Sequence, residues 1–338
     1  AGPDARFRLY LNANVPADLP VRAGTRQRLI PFPRLWTHAR LSAELRLHPP
    51  DALFVPAHVV PLYHPAATVV TVHDLGYRYE PETHTPAQRL YLEISTRWSA
   101  RQARRVIAVS AATRDDLVRL SGIAPERVTV IHHGVDERFF TVDDIQRDAA
   151  RRALDLPQRY LLFVGTLQPR KNLGRLIEAF DRIAPDEPDL HLVLAGKAGW
   201  LFEQVRASIT LSSAHEHIRY LDYVADCYLP GLYAGAEVVI LPSLYEGFGL
   251  PAAEAMAAGS PVVVSDRGAL PEIVGDAGIV VPATSVAAIA AGIRSALDPA
   301  TRDRRVAAGR TRARHFRWRD AGAQTLNVVL DAMSGERP

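Results

Sequence analysis

The sequence predicts an α/β protein built of two doubly wound, Rossmann-like domains facing each other across a cleft. Three observations carry that prediction. Its 338 residues exceed what one hydrophobic core ordinarily serves. Short β-branched runs alternate with helical patterns in both halves. A charged stretch with no strand signal, 141–155, separates the halves and reads as a linker. The expected domains are 1–145 and 156–312, followed by a closing helix in 313–338 that packs back towards the first domain.

In the second half the strand-like runs are 160–164, 191–195, 218–221, 238–241, 261–264 and 279–281. They are apolar on both faces, which predicts a parallel sheet covered by helices. A ligand is then expected at the carboxyl ends of the strands. Between the first two runs, Leu173, Leu176, Ile177, Phe180 and Ile183 recur at helical spacing, with Asn172 placed as an N-cap. In the first half the runs 6–11, 52–55, 68–72, 105–109 and 128–131 read as strands. Helical patterns fill 36–47, 86–104 and 111–121. Four prolines mark 12–33 as an irregular loop or lid. In the tail, Trp318, Leu326, Val329, Leu330 and Met333 suggest an amphipathic closing helix.

A composition of 48% hydrophobic and 23% charged residues is that of a soluble globular protein. No apolar run approaches the roughly 18–20 residues that a membrane-spanning helix needs. The opening AGPDARFRLYL has no signal-peptide core. The single cysteine, Cys227, cannot form an internal disulfide, which fits a reducing cytoplasm. A net charge of +3 is too mild to point to nucleic acid. The charge is uneven, however. Arg6, Arg8, Arg22, Arg26, Arg28, Arg34, Arg40 and Arg46 face only Asp4, Asp18 and Glu44 in the first fifty residues, and Arg97, Arg101, Arg104 and Arg105 crowd one helical stretch. Solvated surface explains such a pattern. So does attraction to anionic lipid headgroups, at about 1 kcal/mol per well-placed cation. Only Lys171 and Lys197 are lysines among the 40 basic residues, and each follows a strand-like run.

Two strand-to-helix turns carry the chemistry. In FVGTLQPRKN, residues 163–172, Gly165 ends a strand and Arg170 and Lys171 stand just ahead of a helix start. Free N–H groups, a positive dipole end and two cations together suit an anion. A departing diphosphate needs such a place to put its developing charge. In LPSLYEGFGLPAAEAMAAGSPVVVS, residues 241–265, Gly247 and Gly249 allow close backbone approach to a ligand. Pro251 suits the helix start and Gly259 its end. Glu246 reads as an acceptor for neutral hydroxyls. Glu254 suits a ribose diol or, more plainly, a dipole-friendly acid in the first turns of a helix.

These segments resemble retaining GT-B glycosyltransferases of family 4, whose mark is two glutamates separated by seven residues: here Glu246-GFGLPAA-Glu254. LAGKAGW, DCYLPGLYAGAEVVILPS, VVTVHDLGYRYEPETH, RVIAVSAATRDDL and VTVIHHGVDERF extend the resemblance over nearly the whole chain, towards the mannosyltransferase-like branch. It implies that Arg170 and Lys171 neutralise the donor diphosphate in a turn opened by Gly165 and Thr166. Glu246 would hold the transferred sugar, with backbone N–H groups of Phe248, Gly249 and Leu250. Glu254 would hold the ribose, and His73 would face the sugar across the cleft. The implied donor is GDP-mannose, with a UDP-sugar second. The implied acceptor is a glycan or a lipid-linked glycan.

Two departures stand against that pattern. Thr166 occupies a place where many members carry arginine. The strand, glycine-rich loop and long helix that the family sets before residues 6–11 are not found, which leaves the first domain incomplete at its start and keeps donor binding without turnover as an alternative. No Asp-x-Asp pair occurs, so no obligatory metal or cofactor is expected. A metal on the doublet His132 and His133 lacks further ligands at suitable spacing. The alternatives are a UDP-sugar enzyme, an inactive nucleotide-binding relative and a nucleotide-sugar epimerase. A dehydrogenase is disfavoured because neither turn gives G-x-G-x-x-G. The expected location is cytoplasmic, with the inner face of the plasma membrane as the surface that would attract a basic first half.

Overall fold

The structure, a computed structural model, describes residues 6–14, 24–83 and 85–335. Arg22 and His84, the middle of the 12–33 segment and the first five residues lie outside the described residues. Twelve strands form three parallel sheets among these residues. Strands β1 (Arg8–Leu11) and β2 (Arg26–Leu29) form a pair. Strands β3 (Leu53–Val55), β4 (Thr68–Val72), β5 (Arg105–Ala108) and β6 (Val128–Val130) lie side by side in chain order. The second half holds β7 (Arg159–Val164), β8 (Leu190–Ala195), β9 (Ile218–Leu221), β10 (Val238–Leu241), β11 (Val262–Ser265) and β12 (Ile279–Val281). Their order is β12-β11-β10-β7-β8-β9. Both large sheets are parallel and helix-covered, because their central strands carry apolar side chains on both faces. In the second sheet, separate apolar clusters lie on the two sides. The chain reverses direction across that sheet between β7 and β10, which opens a crevice at their carboxyl ends.

The sequence reading needs correction at several elements. The 141–155 stretch is not a plain linker: it contains the helix Asp144–Ala153, started by a capping box between Asp143 and Gln146. Its one buried side, at Ala150, packs on the helix Leu229–Ala234, so the rest can remain charged. Within the 12–33 segment, RQRL forms β2 because β1 offers it a parallel ladder. The 36–47 helix begins as a π-wound turn, Trp36–Leu41, before the α-helical Ser42–Leu47. Asn172 caps no helix with its side chain. It sits at positive φ and donates through Nδ2 to the carbonyls of Pro242 and Ala283. Pro251 takes the second helical position, after Leu250.

The final helix, Trp318–Ser334, lies against β4 and β5. It buries Ala321, Val328 and Ala332 beside Val69 and Ile107, and Asp331 pairs with Arg105 at 2.9 Å. Trp318, Leu330 and Met333 face outward instead. The small alanines allow the close approach that the larger side chains would prevent. The chain crosses between the two halves a second time just before this helix. There Val135 N–H donates to the Phe316 carbonyl at 3.0 Å, in a bridge of Val135 to Arg317. A Cβ at Gly134 would overlap the backbone of Trp318.

Candidate active site

The crevice between β7 and β10 collects the two turns. Beyond β7, Gly165 and the exposed Thr166 lead into a short turn, Pro169–Lys171, which presents Arg170 and Lys171. Beyond β10, the chain from Ser243 to Gly249 forms a loop that ends in the helix Leu250–Ala258. Gly249 begins that helix at φ 95°, a backbone conformation that glycine adopts without strain. At Gly247 the requirement is space: a Cβ there would overlap the carbonyl of His73 in the other half.

Glu246 is buried, and Lys171 Nζ meets its Oε1 at 2.5 Å. Arg170 approaches Oε2 at 3.4 Å and donates to the Tyr245 carbonyl at 2.5 Å. Ser243 Oγ donates to Glu246 Oε1 at 2.7 Å. Burial alone would raise the Glu246 pKa. The charges of Lys171 and Arg170 and the hydrogen bonds from Lys171 and Ser243 outweigh it and hold the carboxyl below its ordinary value. Three of the four charged residues singled out in the two turns, Arg170, Lys171 and Glu246, therefore form one cluster. In it the carboxylate occupies the cations that an anionic ligand would use.

Glu254 points elsewhere on the same helix. Its Oε2 accepts from the Tyr233 hydroxyl at 3.0 Å. Burial raises its pKa, opposed by that hydrogen bond and by the charge of Arg138. The backbone N–H groups of Phe248, Gly249 and Leu250 lie at the helix start, where no carbonyl one turn back is available to them. The Phe248 ring is buried against His132, His133 and Phe316. Lys197 is not in this cluster; its ammonium lies 4.9 Å from the Tyr223 ring centre.

His73 reaches the crevice from the end of β4, and both of its ring nitrogens have protein partners. Nε2 lies 2.8 Å from the Pro56 carbonyl and Nδ1 lies 3.3 Å from His133 Nε2. A carbonyl only accepts, so Nε2 carries a proton, while Nδ1 shares a hydrogen bond with His133. Burial, with the neighbouring His73 and His132, pushes the His133 pKa down to about 4, which leaves that ring neutral. For His73 to hold a sugar hydroxyl, it must exchange one of these partners. His132 is engaged separately, 2.7 Å from Glu272. Among the described residues no group of three or more His, Cys, Asp or Glu is arranged to hold a metal ion.

Sequence reasoning missed Glu272, Asp116, Tyr245 and Ser110, all of which join the halves beside this crevice. Glu272 looks like an ordinary first-turn acid of the helix Leu270–Val274. It instead accepts from the N–H groups of Ala111, at 2.9 Å, and Ala112, at 3.3 Å, across the interface.

Comparison with known proteins adds the family. The description "Glycosyl transferases group 1" matches residues 144–312, and "Glycosyltransferase Family 4" matches residues 4–139. The O-antigen chain mannosyltransferase B of Escherichia coli is 35% identical over 77% of this chain and 69% of its own length. A glycogen synthase of Mycobacterium tuberculosis is 32% identical over 89% of this chain and 77% of its own. Among solved structures, a sucrose-phosphate synthase from Thermosynechococcus elongatus superposes with a TM-score of 0.77 at 22% identity, covering 97% of this chain and 89% of that one. That likeness establishes the GT-B fold of two Rossmann-like domains. With both family descriptions matched and a relative of this identity spanned over more than two thirds, the chain belongs to the family 4 GT-B glycosyltransferases.

Proposed function

We propose that the chain transfers mannose from GDP-mannose, with retention of anomeric configuration, onto a glycan or lipid-linked glycan. The cluster of Lys171, Arg170 and Glu246 at the β7–β10 crevice is the observation that carries this reading. In the transfer, the anomeric C–O bond to the diphosphate breaks. Lys171 and Arg170 leave Glu246 to take up the negative charge that develops on the departing oxygen. The freed Glu246 carboxylate accepts hydroxyls of the sugar, aided by the N–H groups of Phe248, Gly249 and Leu250. Glu254 accepts the ribose hydroxyls, and Gly165 and Thr166 border the diphosphate. His73 exchanges Pro56 or His133 for a sugar hydroxyl. The acceptor oxygen attacks from the face that the diphosphate leaves, and its proton passes to the diphosphate. No metal is required for any of these roles.

Thermal unfolding with GDP, UDP, dTDP and NAD, each with and without magnesium, tests the donor. A ligand at about 100 times its Kd adds about 2.7 kcal/mol to the folded state, a shift of several degrees. A shift with GDP that ignores magnesium is the expected result. A shift with UDP instead would assign a UDP-sugar, the second reading, and no shift with any nucleotide would remove the donor site.

The acceptor reading gives part of the basic surface a use. Arg28 and Arg40 are drawn to the buried Glu44, and Arg105 to Asp331. Arg97 and Arg101 remain exposed on the helix Pro86–Gln102, which also exposes Leu90 and Ile94. No helix among the described residues is long and apolar enough to cross a membrane. An acceptor on a lipid carrier at the cytoplasmic face of a membrane would instead be met by this mixed face. Anionic vesicles are expected to retain the protein at low salt and release it at high salt. Equal recovery from neutral and anionic vesicles would show that the arginines are simply solvated.

A further inference from the structure

The residues on either side of Glu246 are held from the opposite domain by one helix, Ala111–Ser121. The Tyr245 hydroxyl donates to Asp116 Oδ2 at 2.8 Å in a buried contact, and the Tyr245 ring stacks on Tyr79 at 4.5 Å. At Gly247, the carbonyl accepts from Ser110 Oγ at 2.6 Å and from Thr113 Oγ1 at 3.3 Å. The same helix start is gripped from the other side by Glu272, through Ala111 and Ala112 N–H, while His132 closes on Glu272 at 2.7 Å. Within its own domain Glu272 is tied back to the loop, because Ala269 N–H donates to the Glu246 carbonyl at 2.9 Å.

These contacts form a closed circuit. It runs from Glu246 through Tyr245 to Asp116, along the helix to Ala111, and through Glu272 and Ala269 back to Glu246. Two separate interface contacts would lack the last link. A capping acid that served only its own helix would not reach Ala111 and Ala112 of a helix whose own cap, Ser110, already accepts from Thr113 N–H. We propose that Asp116, Tyr245 and Glu272 act together as positioning residues: they form one interdomain latch that sets the orientation of the Glu246 loop when the domains close on the donor. None of the three need touch the substrate. The proposal rests on Glu246 holding the transferred sugar.

The test is a double-variant cycle on the full chain, with Tyr245→Phe, Glu272→Gln and the pair. Tyr245→Phe keeps the ring stack, and Glu272→Gln keeps an acceptor and the side-chain shape. Each single variant is expected to lower kcat about tenfold, the loss of one well-made hydrogen bond, with nucleotide Kd changed less than about twofold. The double variant is expected to fall no further than the worse single, since one latch can open only once. Multiplying losses, or a nucleotide affinity that falls in step with kcat, would overturn the proposal. Amide exchange over residues 110–117 gives a second readout that needs no donor. Both single variants should speed exchange there, although Tyr245 touches neither Ala111 nor Ala112. Faster exchange in Glu272→Gln alone would show two independent contacts and defeat the latch. A wild-type chain that transfers no sugar would fail the functional reading, and the exchange result would still decide the latch.

Discussion

Replacing Glu246 by glutamine is expected to lower sugar transfer by about 10- to 150-fold while leaving the affinity for bare nucleoside diphosphate unchanged or tighter. The two effects have opposite origins. Hydrogen bonds to a charged acceptor contribute about 1.5–3 kcal/mol, and the neutral amide loses that share where it should hold sugar hydroxyls. In the structure, however, the carboxylate holds Lys171 at 2.5 Å and Arg170 at 3.4 Å. Glutamine releases both cations, so a diphosphate no longer has to displace a competing anion. Calorimetric titration with nucleotide and steady-state transfer together check this. A parallel loss of binding and transfer would show that Glu246 does not divide its role in this way.

Lys171→Met should have the larger effect on stability. It leaves a buried carboxylate with Arg170 as its remaining charged partner, and breaking such a pair typically costs about 3–5 kcal/mol. Its pH dependence identifies the cause. In the parent chain the Glu246 pKa is depressed below its ordinary 4.5. Its contribution is therefore complete above that value and is lost as the pH falls through the lower folded-state value. Without Lys171, burial prevails and the pKa rises. The variant should then be most destabilised near neutral pH and recover relative to the parent as acid protonates the carboxyl. Urea unfolding at several pH values measures this, and a pH-independent deficit would place the loss in packing.

The second domain was largely legible because its strands are continuous apolar runs. The runs 218–221, 238–241 and 279–281 match the strands Ile218–Leu221, Val238–Leu241 and Ile279–Val281 to the residue. Leu173, Leu176, Ile177 and Phe180 form the buried side of their helix. Where tertiary partners decide the outcome, the sequence is silent. RQRL carries two arginines and becomes a strand only because β1 lies beside it. Asn172 has the composition of a cap, yet its amide is taken by two carbonyls from distant strand ends. The turn residues Arg170, Lys171 and Glu246 could be singled out from strand-to-helix context. Their mutual pairing could not, because Lys171 and Glu246 are 75 residues apart. Glu272 and Ala111 are farther apart still, at 161 residues, and nothing local signals that an acid on one helix caps another.

The two places where the chain passes between domains are not independent tethers. Val135 and Phe316 are hydrogen-bonded, and Gly134 leaves no clearance against Trp318. Two separate tethers would act as a universal joint and allow twist and slide as well as bending. Tethers pinned to each other act as a door hinge, with a single axis through the pin. A cleft hung on such a pin would have one swing open to it, with the contact of Gly247 on His73 as its stop.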